Sequence, residues 1–299
     1  SNFNIQLYQT STMSLVNEFF AHVDIIYEIT YSSDDRLMMT VSADGMAKIW
    51  RNESTDKYAL RSTLAHPCYI YSGKFHPSDD RLVFTAGIDG KIRVWDRPNN
   101  AVIQTFQHGK TRINSITFSP DGLALYAGDA AGIITVCNTD IELFKQNGSF
   151  PDPKYVKEGE IENCAITHVE MGKSNFSLLV QTQDSVIRLF ETKVMVPSQR
   201  YSGVLCKRFR MISTFSPDGQ YILAGSEDGS VMLWKVRQAE PVNVKEWTCK
   251  FDQPVTAVAW NRVENMIAFS SFGENQPILV FYDPTAPPPP ENDLLNDLL

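Results

Sequence analysis

The stretch AGIDGKIRVWDR (86–97) decides how this chain is read. Asp-Gly between alternating residues is a signal for a tight β-hairpin, because Gly accepts the positive φ of a type I′ turn. The alternation that follows it suits one strand with two distinct faces. The same frame recurs in VSADGMAKIWRN (41–52) and AGSEDGSVMLWKV (224–236), with Gly45 to Trp50, Gly90 to Trp95 and Gly229 to Trp234 at one spacing. Two degenerate copies keep it, Gly132 to Cys137 and Ser185 to Phe190, and a lengthened one, SSFGENQPILVFYD (270–283), ends in Phe281-Tyr282.

The closing positions are separated by 45, 42, 53, 44 and 48 residues. A period of roughly 40–45 residues belongs to a four-stranded propeller blade. The long interval contains DIELFKQNGSFPDPKYVKEGEIEN (140–163), an inserted loop rich in charge, Gly and Pro. Each unit opens with a strand ending in an aromatic-Ser/His-Pro-Asp turn, as in FHPSDD (75–80) and FSPDG (118–122 and 215–219), with YSSDD (31–35) as a variant. Pro presets φ and Gly tolerates φ > 0 in such turns. YALRSTLAH, AVIQTFQH and NVKEWTCK read as fourth strands.

These units resemble the WD-repeat family, whose members carry a Gly-His dipeptide upstream of Trp-Asp. His22, His66 and His108 stand 28, 29 and 29 residues before Trp50, Trp95 and Cys137. The resemblance implies a buried network within a blade: His22, Thr40, Asp44 and Trp50 in the first, His66, Thr85, Asp89 and Trp95 in the second. The unit ending at Trp234 lacks the His and has Ala224 in place of Thr. The expected fold is all-β, a propeller over residues 1–283, seven-bladed with one blade incomplete. Six repeats are present, and residues 3–20 supply half a blade. A tail, 284–299, follows.

Net charge is −8 and the pI about 5.2. A duplex-binding protein shows a basic stripe. The densest basic run here is Lys207, Arg208 and Arg210, so nucleic acid is not expected as a partner. Five dispersed cysteines, without CxxC, read as reduced thiols of a cytosolic or nuclear protein. No stretch reaches the 18 or so apolar residues of a membrane span. Phosphate-loop, zinc-protease, EF-hand and serine-elbow motifs are absent from the sequence. Asp34-Asp35 and Asp79-Asp80 fall in turns, where Asp serves local hydrogen bonds. The expectation is a non-enzymatic interaction scaffold with no catalytic, cofactor or metal residues.

Aligned on the aromatic before the turn, the residues opening each first strand are Ile25, Tyr69, Arg112, Cys164, Phe209 and Pro254. By family resemblance these positions face the channel mouth. Ile25, Tyr69, Arg112 and Phe209 are the candidate partner face, since exposed aromatics and Arg are enriched at interface hot spots. Tyr69 and Phe209 have an alternative role as packing between blades. Pro287 to Pro290 suits a polyproline II ligand for SH3 or WW domains, and the leucines of the tail, 294–295 and 298–299, repeat at helical spacing. A disordered end or cloning scar is the other reading of the tail.

Several stretches, above all ENMIAFSSFGENQPILVFYD (264–283), resemble the Jouberin-like family of WD-repeat proteins, including the irregular Phe-Gly-Glu-Asn-Gln-Pro segment. That resemblance implies a cilium-assembly scaffold at the transition zone beside the basal body, bound to members of the transition-zone complex. Jouberin-like proteins usually add a long N-terminal region and often an SH3 domain, so this sequence reads as a short form or a fragment. A WD-repeat adaptor elsewhere, such as a substrate receptor of a ubiquitin ligase, is the alternative, and a propeller enzyme is a remoter one.

Overall fold

The computed structural model describes residues 3–54, 57–107, 109–242, 251–261, 265–273 and 276–282. Sequence neighbours pair in antiparallel meanders throughout, and the chain forms two compact units, Ser1–Val169 and Glu170–Leu299.

The first unit begins with a hairpin of β1 (Asn4–Gln9) and β2 (Ser14–Phe20). Blade 1 follows as β3 (Ile26–Tyr31), β4 (Leu37–Ser42), β5 (Met46–Ser54) and β6 (Lys57–Ala65). Blade 2 is β7 (Ile70–His76), β8 (Asp79–Gly87), β9 (Lys91–Asp96) and β10 (Ala101–Gln107). Blade 3 is β11 (Ile113–Phe118), β12 (Ala124–Asp129), β13 (Ile133–Asn138) and, after helix α1 (Ile141–Asn147), β14 (Lys154–Lys157). The unit boundary falls within β15 (Ile166–Met171), which opens a sheet with β16 (Ser177–Thr182), β17 (Ile187–Glu191) and β18 (Val196–Tyr201). Two three-stranded sheets complete the second unit: β19 (Ser213–Phe215), β20 (Tyr221–Gly225) and β21 (Val231–Lys235), then β22 (Val255–Trp260), β23 (Met266–Ser271) and β24 (Ile278–Tyr282).

Six blades are thus described, not the seven expected. Residues 3–20 give only a two-stranded sheet, because among the described residues β1 pairs with β2 alone. The segment NVKEWTCK (243–250), Asp283 and the tail 284–299 lie outside the described residues.

The second strand of blade 1 is covered on both faces. β4 is buried at all six positions, since one face meets the preceding sheet and the other the next. Leu37, Met39 and Val41 pack with Val83 and Trp95 of blade 2, while Met38 packs with Trp50 and Ile5 beside the hairpin. Leu82, Phe84 and Val94 of blade 2 turn the other way, onto Ile113, Ile116 and Phe118 of blade 3.

The Ser-Pro-Asp turns share one device. Ser119 Oγ donates to Asp121 and accepts from Ala124 N at 2.9 Å, and Ser216 repeats the pattern with Asp218 and Tyr221 N. The insertion after β13 folds on its own caps. Asp140 accepts from Glu142 N at 2.9 Å, Gly148 closes the end at φ 72°, and Phe150 stacks on Phe144 at 4.6 Å.

Candidate functional site

All four residues of the first network come together. The carboxylate of Asp44 lies 2.8 Å from His22 Nδ1, which therefore carries the proton, and Nε2 accepts from Thr40 Oγ1 at 2.7 Å. Trp50 Nε1 donates to the same Thr40 oxygen at 3.0 Å. Each polar atom of these four side chains is hydrogen-bonded, the condition under which a buried network stabilises. Burial works to raise the Asp44 carboxyl, but the bond from His22 and the N–H of Met46 outweigh it and hold it below its ordinary value.

Blade 2 differs. His66 Nε2 bonds Thr85 Oγ1 at 2.7 Å and Trp95 Nε1 donates to Thr85 at 2.9 Å, but His66 Nδ1 meets the carbonyl of Leu64 at 3.0 Å. Asp89, expected to hold His66, instead pairs with Arg93 at 2.5 Å and accepts from Lys91 N. A backbone carbonyl fixes the same tautomer that a carboxylate fixes in blade 1. The spacing that marks the difference is Asp89 to Arg93, repeated as Asp184 to Arg188 at 2.6 Å. In both networks the His leaves one sheet and the Thr and Trp belong to the next, so the bonds tie neighbouring sheets together. His108 lies outside the described residues.

The other units keep only part of the set: His108 still precedes blade 3, and Trp234 remains in the unit that has Ala224. Ala127 and Cys137 in blade 3, and Val180 and Phe190 in the next sheet, replace Thr and Trp with buried apolar groups. Burial pushes the Cys137 thiol up to about 12. Trp234, facing Ala224 in place of Thr, donates to Ser202 O at 3.1 Å instead.

Burial pushes the His66 imidazole down to about 4, against the opposing pull of the Leu64 carbonyl. An unfolded His titrates near 6.5, so between about pH 6.5 and 4 the unfolded chain binds a proton that the folded chain does not. The stability this represents is complete above that window and lost as pH falls through it. Melting temperature is expected to drop over pH 6.5–4, and less steeply in His66→Gln. An equal slope in the variant would contradict the assignment.

The opening residues of the first strands occupy equivalent places. Backbone carbonyls of Ile25, Tyr69, Arg112 and Pro254 accept from Ala43, Ile88, Ala130 and Phe272 N at 2.8–3.1 Å. Tyr27 and Tyr71, two residues further along β3 and β7, have ring centroids 4.8 Å apart. Ile25 and Tyr69 therefore stand at matching ends of adjacent strands. Ile25 is 49% exposed and Tyr69 47%, and Val23 (70%) and Ile88 (41%) extend the apolar patch. Arg112 is exposed, held through Nε by Asn114 at 3.2 Å, and Asn114 is anchored on Ile166 O at 2.6 Å.

Val23 lies two residues before the aligned position, and Ile88, distant in sequence, is brought beside Tyr69 by the bond from its N–H to Tyr69 O at 3.1 Å, so the alignment singles out neither. Phe209 does not open its strand: β19 begins at Ser213, and Phe209 is half-buried in the preceding loop, 5.3 Å from the Phe272 ring.

The first strands are also stapled to one another. Glu28 accepts from Ser72 Oγ and Gly73 N, Ser72 Oγ accepts from Ile116 N, and Ser115 Oγ accepts from Val169 N, at 2.6–3.2 Å. The strands that follow Ile25, Tyr69 and Arg112 are therefore tied to one another by hydrogen bonds.

Elsewhere, α1 and blade 2 border a groove of about 250 Å³ lined by Leu82, Ile103, Ile141 and Phe144 with Asp79, Arg81, Asp96 and Lys145. Asp79 is spent on Arg81, at 2.7 Å. Among the described residues no cluster of three or more His, Cys, Asp or Glu is arranged to hold a metal ion, and no helix is long and apolar enough to cross a membrane.

The succession of meander sheets, hairpin Asp-Gly and buried Trp is that of the WD repeat, and the chain is a WD40-repeat β-propeller protein. The model of the WD domain, G-beta repeat family matches residues 13–51, 58–96, 100–138 and 209–235. More particularly, the chain is similar to Jouberin of Mus musculus and of Rattus norvegicus, with 32% identity over 287 residues in each comparison. The match covers 93% of this chain and 27% of each Jouberin, so the chain spans about a quarter of those relatives. It is also similar to Autophagy-related protein 16 of Arabidopsis thaliana, 23% identical over 88% of this chain and 49% of that protein.

Proposed function

We propose that this propeller is a non-enzymatic, Jouberin-like interaction platform that serves cilium assembly at the transition zone beside the basal body. Its partners would be proteins of the transition-zone complex. The observation that carries the platform reading is the exposed patch of Val23, Ile25, Tyr69 and Ile88 beside the positioned Arg112. Contiguous exposed apolar groups with a fixed cation at their edge are the composition of a protein-binding hot spot. The ciliary part rests on the similarity to Jouberin. Pro287 to Pro290 would add an SH3 or WW ligand, outside the described residues.

Capture of partners from ciliated cells, identified by mass spectrometry, tests the reading. Transition-zone proteins are the expected catch; ubiquitin-ligase adaptors in their place would overturn the ciliary assignment.

A further inference from the structure

We propose that the acidic, leucine-rich segment ENDLLNDLL (291–299) docks in cis on a basic and aromatic patch at the loop 202–212. This loop connects β18 to β19, and its backbone is fixed by one side chain. A single carboxylate oxygen of Glu227 accepts from Lys207 N, Arg208 N and Phe209 N at 2.7, 2.6 and 2.9 Å. Burial works to raise the Glu227 carboxyl, but those N–H groups hold it below its ordinary value. Glu227 N also donates to Leu205 O at 2.9 Å.

The consequence is an ordered cluster. Phe209 rests against Phe272, which is 55% exposed, and Leu205 is 38% exposed on the same loop. Lys207 and Arg208 are exposed alongside. In a chain of net charge −8, the densest basic run thus stands beside the exposed side chains of Leu205 and Phe272. The complementary ligand is a short peptide that alternates carboxylates with aliphatic residues.

The chain carries such a peptide. Glu291, Asp293 and Asp297 alternate with Leu294, Leu295, Leu298 and Leu299. β24 leads from the loop of Phe272 to Tyr282, five residues or about 17 Å at strand rise. The nine steps from Tyr282 to Glu291, rich in Pro, span about 28 Å as polyproline II. A spacer of that length is long enough to return along β24 to the patch.

Carbodiimide coupling of the full chain, which joins a carboxylate directly to a lysine amine, tests this. Peptide mapping of the monomer should show Lys207 coupled to Glu291, Asp293 or Asp297. The link should be lost in about 1 M salt, where the Debye length is about 3 Å. It should also be lost when Leu294, Leu295, Leu298 and Leu299 are replaced by Ser, a change that leaves every carboxylate in place. Coupling spread over many lysines, links found only in dimers, or links that survive the Leu→Ser variant would each overturn the proposal.

Discussion

Trp95→Ala is expected to cost about 3–5 kcal/mol, the range for removing a large buried aromatic. The side chain is 4% exposed and sits in the cluster formed by Leu37, Met39, Ile49 and Leu64 of blade 1 with Ile70, Phe75 and Val83 of blade 2. Truncation opens a cavity at the junction of two sheets that neither can collapse to fill. It also removes the indole N–H from Thr85, leaving that hydroxyl to His66 alone. Trp95→Phe separates the two effects. It keeps most of the volume and loses the donor, and should cost about 1–2 kcal/mol. Urea unfolding of both variants checks the prediction; equal losses would mean that packing at this junction does not govern stability.

Gly132→Ala is expected to be nearly as damaging, at about 2–5 kcal/mol. Gly132 has φ +80°, and an added Cβ would stand 1.8 Å from Ile161 O and 2.9 Å from Cys164 O. Both obstacles are backbone, which cannot swing aside as a side chain can. Gly148 is the internal control. It has φ +72° with nothing within 4 Å of the added carbon, so alanine there bears only the conformational cost, about 1–2 kcal/mol. Thermal melts that rank the two substitutions equally would show that close approach is not what Gly132 is for.

That comparison also shows what the sequence could and could not convey. The hairpin glycines were visible from Asp-Gly spacing, and positive φ follows from turn chemistry. Their second reason, close approach to the backbone that leads into the next sheet, is a tertiary fact with no local signature: Gly229 meets Phe251 O as Gly132 meets Ile161 O. Blade order was legible because the repeat period and the alternation after Asp-Gly report on packing, and the first network because these units resemble the WD repeat and keep its His, Thr, Asp and Trp. Asp89 was misjudged because Arg93, four residues on, competes for its carboxylate, while Leu64 O satisfies His66. The four-residue strand β14 was hidden in the charged insertion, too short for alternation to show. Phe209 was misplaced because counting back from Phe215 assumes a first strand of constant length, and the loop held by Glu227 shortens β19 to three residues.

The most direct test of the interaction-platform account is the triple variant Ile25→Ala, Tyr69→Ala and Arg112→Ala, compared with wild type in partner capture and in thermal melting. All three side chains are exposed, so the melting temperature should be close to that of wild type. The account predicts a folded variant that no longer captures the partners held by wild type. A folded variant that captures them undiminished would contradict it.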